Sequence, residues 1–231
     1  MNRKTMLAVV LAVTAVLAIP GAAAAQQSIA INFGAFTPTS LDSRSVNDVF
    51  VQDLNYHYFD FRKFDNFTFS GEWLVPIGSM LEAGIGVGFY QETVPATYID
   101  YVNSNGSEIA QDFKLRIIPI TAMARFLPTG RRAAVQPYIG AGIGILPWRY
   151  SETGQFIDAN GNVFNGNFVG SGTAVGPVVC GGVRFAASPA FAFGGEIRHQ
   201  WAEGDLNPTD FIGSKIGLGG FSWLGTVIFR F

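Results

Sequence analysis

The stretch GFSWLGTVIFRF, residues 220–231, alternates large apolar residues with small or polar ones up to its last position. A period of two places alternate side chains on opposite faces of a β-strand. Chain ends are usually polar and poorly ordered, so an apolar face here predicts a final strand that is held by a partner. The apolar residues on that face are Phe221, Trp223, Val227, Phe229 and Phe231.

The same alternation recurs along the chain, without convincing helical periodicity, and predicts eight strands. Each segment approaches or exceeds the roughly 9 to 11 residues that a tilted transmembrane strand needs. The predicted strands are residues 28–37, 66–75, 80–92, 112–127, 134–148, 174–185, 190–201 and 220–231.

The connections between these segments alternate between short and long. This arrangement predicts an all-β fold, an eight-stranded antiparallel transmembrane β-barrel with short periplasmic turns and long extracellular loops. In hydrocarbon every backbone polar group needs a partner, so we expect the eighth strand to close against the first. The short connections are 76–79, 128–133 and 186–189, and the long ones are 38–65, 93–111, 149–173 and 202–219.

The face opposite the apolar residues distinguishes a membrane barrel from a secreted, lipocalin-like barrel, whose apolar face points inward. That face carries rows of glycine with scattered single charges. Such a surface is poorly suited to water, but it fits a narrow lumen in which small residues alternate with large ones. The glycines are Gly84, Gly86, Gly88, Gly140, Gly142 and Gly144.

Residues 1–25 have the three parts of a secretory signal peptide: the basic MNRK, the apolar MLAVVLAVTAVLAI and the small-residue GAAAA. We expect cleavage after Ala25, which leaves residues 26–231 as the barrel domain. The alternative, an uncleaved membrane anchor, is disfavoured because the apolar part is shorter than the ~20 residues that a spanning helix needs.

Charge and cysteine content exclude several classes of function. Arg3 and Lys4 belong to the predicted signal, so 13 of the 15 basic residues remain against 17 acidic ones. The chain has no basic block for nucleic acid. Cys180 is its single cysteine, which excludes an internal disulfide and a cysteine-based zinc site. No residue pattern indicates a cofactor.

Together these features resemble the eight-stranded outer-membrane β-barrel proteins of Gram-negative bacteria, the OmpA-like and OmpW-like porin-type superfamily. The resemblance covers residues 26–231 and is carried by QPYIGAGIG (136–144) and GLGGFSWLGTVIFRF (217–231). It implies an integral outer-membrane protein that is exported through the periplasm. It also implies that Phe231 is part of the signal read by the barrel-insertion machinery, and we expect a monomer.

The charged residues of the inward face predict an ion-pair network in the lumen, because an eight-stranded barrel has room only for side chains inside and unpaired buried charge is costly. Glu72 and Glu82 should lie nearly opposite each other, and one would become protonated unless an arginine lies between them. Arg125 faces inward only if Pro119 does not mark a bulge. The predicted network is Glu72, Glu82, Glu196, Arg125, Arg184, Arg198 and Arg230.

A second candidate site lies where strands four and five leave the membrane. Lys114, Arg116 and Arg149 should be neighbours there, at the height of lipopolysaccharide phosphates, where they either contact a lipid phosphate or form a merely hydrated rim. The long loops are acidic. We expect them to be solvated, and bridging by divalent cations to lipid phosphates is the alternative. Residues 156–168, which contain Asn160–Gly161, should extend strands five and six as a protruding hairpin.

These observations predict a barrel with a structural or surface-contact role, a lumen plugged by side chains and no catalysis. One alternative is a narrow channel for small or hydrophobic solutes, if the inward glycines leave a cavity. The second is a lipid A-modifying enzyme with His199 at the membrane rim. In the resembling lipid A deacylases a serine stands two residues after the histidine, and Trp201 occupies that position here.

Overall fold

The computed structural model of the protein describes residues 27–231, so the predicted signal peptide, residues 1–25, lies outside the described residues. The helical elements are α1 (Val49–Asp53) and two 3-10 turns, Leu41–Ser43 and Phe61–Phe64. The strands are β1 (Ser28–Pro38), β2 (His57–Tyr58), β3 (Asn66–Ile77), β4 (Leu81–Val102), β5 (Glu108–Ile117), β6 (Ile120–Phe126), β7 (Val135–Ile157), β8 (Val163–Ala186), β9 (Phe191–Gln200), β10 (Glu203–Asp205), β11 (Lys215–Gly217) and β12 (Gly220–Arg230).

Eight wall strands form a closed antiparallel ring in the order β1, β3, β4, β5 with β6, β7, β8, β9 and β12. β12 pairs with β1 over its whole length, from Ser28 opposite Arg230 to Pro38 opposite Gly220. The last predicted strand is therefore the seam of the barrel. The predicted fold class, an eight-stranded antiparallel β-barrel, is confirmed.

The wall strands are staggered. We start at Ser28 and move from each residue to its partner on the next strand. One full circuit of the ring ends at Pro38, which is ten residues farther along β1 than Ser28. An offset of this kind tilts the strands against the barrel axis and fixes the barrel's width. The successive partners are Ser28, Leu74, Gly84, Met123, Gly142, Val178, Gln200, Gly220 and Pro38.

Pro119 separates β5 from β6 without changing the register. Ile117 is opposite Trp148 and Ile120 is opposite Ile145, which is the spacing of an uninterrupted antiparallel ladder. Proline lacks the N–H that the ladder would use, but its carbonyl still accepts a hydrogen bond from the Gly88 N–H at 2.8 Å. The alternation of inward and outward side chains therefore continues in phase past Pro119, and Arg125 points inward.

The outer face of the ring carries an apolar belt with no charged side chain between Val135 and Ile145 of β7 or between Leu81 and Val87 of β4. Eleven residues of a tilted strand rise roughly 25 Å, the height of the apolar band of outer-membrane barrels. The apolar face thus points outward, opposite to a lipocalin-like barrel. Its exposed members include Ile29, Ile31, Phe33, Phe69, Ile85, Val87, Ile120, Ile139, Ile143, Ile145, Val175, Phe193, Ile197, Trp223 and Phe229.

The short connections and the ends of β1 and β12 at Ser28 and Arg230 lie at one end of the barrel, the turn end, and the longer connections lie at the other, the loop end. Two of the predicted long loops, 93–111 and 149–173, are largely paired strand instead. Their alternation is hidden by glycine and polar residues, yet the backbone ladder continues through them. The wall therefore rises well past the apolar belt as two hairpins, β4–β5 and β7–β8.

The predicted protruding hairpin at 156–168 is confirmed. Its turn spans residues 158–162, where Gly161 has a φ of +83°. The Asp158 carboxylate accepts hydrogen bonds at 2.8 Å from the backbone N–H groups of Asn160 and Asn162. The segment contains another Asn-Gly pair, Asn165–Gly166, which forms no turn because Asn165 is paired with Gln155 within the ladder.

A hydrophobic core fills the barrel at the loop end. It is built from inward side chains of the wall and from the first and last long connections, of which the first folds back over the opening and contributes α1. In residues 27–231 no helix has the length and apolar content to cross a membrane. The core includes Phe36, Val49, Phe50, Phe64, Val94, Phe113, Leu115, Leu146, Trp148, Tyr150, Phe211 and Ile216.

Candidate functional site

Three carboxylates meet three guanidinium groups in the lumen, and all six residues are buried. Arg125 Nη2 lies 2.6 Å from Glu72 Oε2 and 3.2 Å from Glu196 Oε2. Arg198 Nε donates to Glu196 Oε1 at 2.8 Å, and Arg198 also pairs with Glu72. This central cluster joins four side chains from β3, β6 and β9.

Glu82 forms a second group nearer the turn end. Arg184 donates to it through two bonds, of 3.1 and 3.0 Å, in the bidentate geometry that suits a guanidinium and a carboxylate. Arg125 Nη1 lies 4.0 Å from Glu82 Oε1. Arg125 therefore lies between Glu72 and Glu82.

Tyr138 connects the two groups of charges. Its hydroxyl donates to Glu196 Oε2 at 2.9 Å, and the Arg184 guanidinium lies 4.4 Å from the centre of its ring. A cation over an aromatic face is attracted by the ring quadrupole. The lumen is thus crossed by a continuous layer of paired charges and one ring.

Arg230 differs from its predicted place. It lies at the turn end, only half-buried, and donates to the neutral amide oxygen of Gln136 at 2.8 Å. In residues 27–231 it makes no ion pair with Glu72, Glu82 or Glu196. The reason is its position on the last residue of β12, where the lumen opens to solvent and a guanidinium needs no carboxylate.

The inward glycines make room for this layer. A Cβ added at Gly86 would lie 2.6 Å from Glu72 Cγ, and one added at Gly140 would lie 2.9 Å from Arg125 Cγ. At Gly84 the added atom would meet Leu74 and Arg125 at 2.9 and 3.0 Å. The space that the glycines leave is therefore occupied by neighbouring long side chains, which weighs against a channel at this level.

The loop end is sealed by α1 and its flanking turns, a cover that we call the mouth plug (residues 41–64). Phe50 packs against Phe64 at 4.9 Å and against Tyr150 at 5.2 Å between ring centres. Asp48 caps α1 by accepting from the Phe50 N–H at 3.0 Å. It also accepts from Arg44 Nη1 at 3.0 Å and from the Gly217 N–H at 2.6 Å.

On the inner side of the mouth plug, buried polar groups of the plug and of the barrel wall form a cluster that the sequence did not predict. Asp53 of α1 is fully buried, and its Oδ1 is 3.6 Å from His57 Nδ1. His57 Nε2 is 3.2 Å from Gln111 Nε2. Glu152 of β7 is also buried, with Tyr150 beside it on the same strand. The prediction of solvated acidic loops is wrong for Asp48, Asp53 and Glu152.

Burial dominates the protonation of the two carboxyls of this cluster. Desolvation raises the pKa of Asp53, and the nearby His57 opposes that rise. Desolvation together with the nearby Asp53 charge raises the pKa of Glu152 to about 8. The sequence signal that could have indicated this cluster is the run of apolar residues within the loop, Val49, Phe50, Phe59 and Phe64, because such residues fold inward and carry their neighbours with them.

Lys114, Arg116 and Arg149 lie together on the outer face just above the apolar belt. Arg116 of β5 is directly opposite Arg149 of β7, and Lys114 is opposite Ser151. The three side chains line a pocket of about 250 Å³, to which Gln91, Thr153 and Asn167 also contribute. We call this surface the basic rim.

The remaining predicted residues occupy the outer face or the lumen wall. His199 packs between Trp201 and Phe221, with ring centres 4.1 and 4.2 Å away. Phe231 is 65% exposed, and its N–H donates to the Gln27 carbonyl at 2.9 Å. Its role as an insertion signal stays a prediction. Cys180 is buried and faces the lumen.

No protein-family model matches the chain, and no curated protein matches it. Among solved structures, Neisserial surface protein A is similar with 15% identity and a TM-score of 0.48, over 89% of this chain and 97% of that one. The N-terminal β-barrel domain of Pseudomonas aeruginosa OprF is similar with 12% identity and a TM-score of 0.42, over 90% and 99%.

Escherichia coli outer membrane protein W is similar with 14% identity and a TM-score of 0.39, over 90% of this chain and 98% of that one. The strand order, the seam and the outward apolar belt come from the chain's own geometry, and they identify it as an eight-stranded antiparallel β-barrel of the membrane-spanning type.

Proposed function

We propose that this protein is an integral barrel of a bacterial outer membrane with a structural or surface-contact role and no catalysis. The observation that carries the proposal is the filled interior. The central cluster of Arg125, Glu72, Glu196 and Arg198 closes the lumen, and the mouth plug closes the loop end. Because solutes have no path through such a barrel, we place its function on its outer surfaces.

The two hairpins above the apolar belt are the surfaces best placed for contact outside the cell. β7 and β8 pair without interruption from Val135 opposite Phe185 to Ile157 opposite Val163. Such a continuous ladder is a stiff support for the turn at its tip. The orientation that we propose has the short turns in the periplasm, because outer-membrane barrels keep their longer connections outside.

The narrow-channel alternative is tested by conductance together with a proof of insertion. Purified protein is reconstituted into liposomes, its folding is verified by heat-modifiable gel mobility, and the same liposomes are fused to a planar bilayer. We expect no conductance steps, because the paired charges leave no water-filled path. Reproducible steps from the folded protein would contradict the plugged barrel. Recovery of the protein from the soluble periplasm would contradict the membrane location.

The lipid A-modifying alternative lacks a nucleophile beside its histidine. His199 is enclosed by the rings of Trp201 and Phe221, and neither can attack an ester. We expect identical lipid A mass spectra from cells that produce the wild type and cells that produce His199→Ala. A lipid A species that disappears in the variant would establish an enzyme.

A further inference from the structure

The basic rim places two like charges directly opposite each other. Arg116 and Arg149 are cross-strand partners, and like charges in that arrangement destabilise a sheet. A guanidinium cannot relieve the repulsion by losing its proton. The pair therefore costs free energy unless a negative charge lies between or beside the two side chains.

No carboxylate of the protein supplies that charge. Within residues 27–231, Lys114, Arg116 and Arg149 make no ion pair and no side-chain hydrogen bond. Asp112 lies on the same strand face, two residues farther from the apolar belt, and makes no ion pair with Lys114. The other groups that line the pocket are the neutral side chains Gln91, Ser151, Thr153 and Asn167.

The chemistry of the lining suits a phosphate group. Two guanidinium groups offer paired N–H donors in the geometry that phosphate oxygens accept, and the ammonium group adds a mobile point charge. Hydroxyl and amide groups provide further donors around the pocket. Carboxylates, which would repel a phosphate, are absent from the residues that line it.

The height of the pocket above the apolar belt indicates which kind of molecule carries that phosphate. Arg116 and Arg149 are each two residues beyond Ile118 and Pro147, the last apolar pair of the belt, in which the Ile118 N–H donates to the Pro147 carbonyl at 2.9 Å. Two residues of a tilted strand rise about 5 Å, which places the pocket at the level at which lipid headgroups meet water. We propose that Lys114, Arg116 and Arg149 form a binding site for a phosphate group of an outer-leaflet lipid, lipopolysaccharide being the phosphorylated lipid of that leaflet. This inference rests on the proposed membrane location.

The test compares lipids that differ only in phosphate. The full-length mature protein is placed in phosphatidylcholine nanodiscs doped with bisphosphorylated lipid A or with its dephosphorylated form, and bound lipid is measured by native mass spectrometry. We expect retention of the phosphorylated form only. Arg116→Gln with Arg149→Gln should reduce that retention at least about tenfold, since a hydrogen bond to a charged group is worth about one such factor or more.

Two further variants keep the result interpretable. Arg62→Gln removes an exposed cation from the loop end, far along the chain from the rim, and should leave lipid retention unchanged. Arg149→Lys keeps the charge and loses the paired donors, so we expect an intermediate loss that is measurable even if the double variant folds poorly. Equal retention of the phosphorylated lipid by wild type, Arg149→Lys and the folded double variant would overturn the inference.

A competition arm separates a lipid site from a site for free anions. Inorganic phosphate at millimolar concentration should not displace the lipid, because the acyl chains hold the headgroup at the pocket. Displacement at that concentration would overturn a lipid-specific site. Failure of the protein to enter nanodiscs in its heat-modifiable form would instead contradict the proposed function, so the two failures are distinguishable.

Discussion

Arg125 and Glu72 meet at the centre of the lumen with 2.6 Å between Nη2 and Oε2, and the arginine side chain has no exposed surface. Glu196 accepts from the same nitrogen at 3.2 Å. The guanidinium group therefore holds two carboxylates that come from different sides of the ring. Its removal would leave Glu72 and Glu196 with Arg198 as their shared cation, so that one buried negative charge would lack compensation.

We expect Arg125→Met to destabilise the barrel by about 3 to 5 kcal/mol, the usual cost of removing one partner of a buried ion pair. The measurement is urea unfolding in detergent micelles, followed by heat-modifiable mobility. Arg62→Met, at an exposed position, should change the free energy of unfolding by no more than about 0.5 kcal/mol. Equal stability of the two variants would show that the central cluster contributes little.

Gly86 and Gly71 provide a matched pair on neighbouring strands. A Cβ at Gly86 would lie 2.6 Å from Glu72 Cγ and 3.2 Å from Thr121 Oγ1, whereas one at Gly71 meets nothing within 4 Å. We expect Gly86→Val to lower barrel stability by about 1 to 3 kcal/mol through overpacking, and Gly71→Val to be neutral. A neutral Gly86→Val would mean that the lumen has spare volume.

The mouth plug should loosen as pH rises. When the plug opens, Glu152 meets water and its pKa returns toward 4.5, while the closed form holds that pKa at about 8. The closed form therefore binds the proton more tightly. Its stability is greatest below about pH 4.5 and falls as pH rises from there to about 8.

Hydrogen exchange of the amides in α1, corrected for the intrinsic effect of pH, measures this loosening. We expect less protection at pH 8 than at pH 5 in the wild type, and a much smaller difference in Glu152→Gln, which removes the carboxyl with the strongly raised pKa. Asp53 and His57 face the same cluster, so Asp53→Asn should reduce the pH effect in part. Protection that is independent of pH in the wild type would refute this view of the mouth.

The tip of the β7–β8 hairpin should be accessible from outside intact cells. Asn160→Cys introduces a thiol at the exposed turn, while the native Cys180 is buried in the lumen. We expect a membrane-impermeant maleimide to label the variant and not the wild type. Labelling of the variant only after the cells are broken would reverse the proposed orientation.

The barrel wall could be predicted from the sequence because successive side chains of a strand alternate between the lipid-facing and the inward face. The sequence predicted the eight strands, the seam at β12 and the inward direction of Arg125, and the continuous register past Pro119 agrees with it. Strand length was predicted less well. In β7 and β8 polar and glycine residues replace the apolar ones above the belt, so the outward alternation fades while backbone pairing continues.

The mouth could not be predicted in the same way. Asp53 and His57 are only four residues apart, but Glu152 follows His57 by 95 residues, and only the folding of α1 over the opening brings all three together. Arg230 was wrongly assigned to the ion-pair network because the face of a strand on which a residue lies does not give its height along the barrel axis. Its side chain faces inward, but at the open turn end of the lumen. Sequence periodicity therefore gives the direction of a side chain, and the three-dimensional closure gives its neighbours.

The ten-residue stagger of the ring has a consequence for altering the chain. Deleting one residue from the middle of β9 would exchange lipid-facing and inward side chains from that point to the strand's end, because facing alternates with every residue. Extra residues inserted after Gly161 would lie beyond the last paired positions, Ile157 and Val163, and would leave the offset unchanged. The hairpin tip is thus a natural place to splice in an epitope, whereas the wall tolerates no change in length.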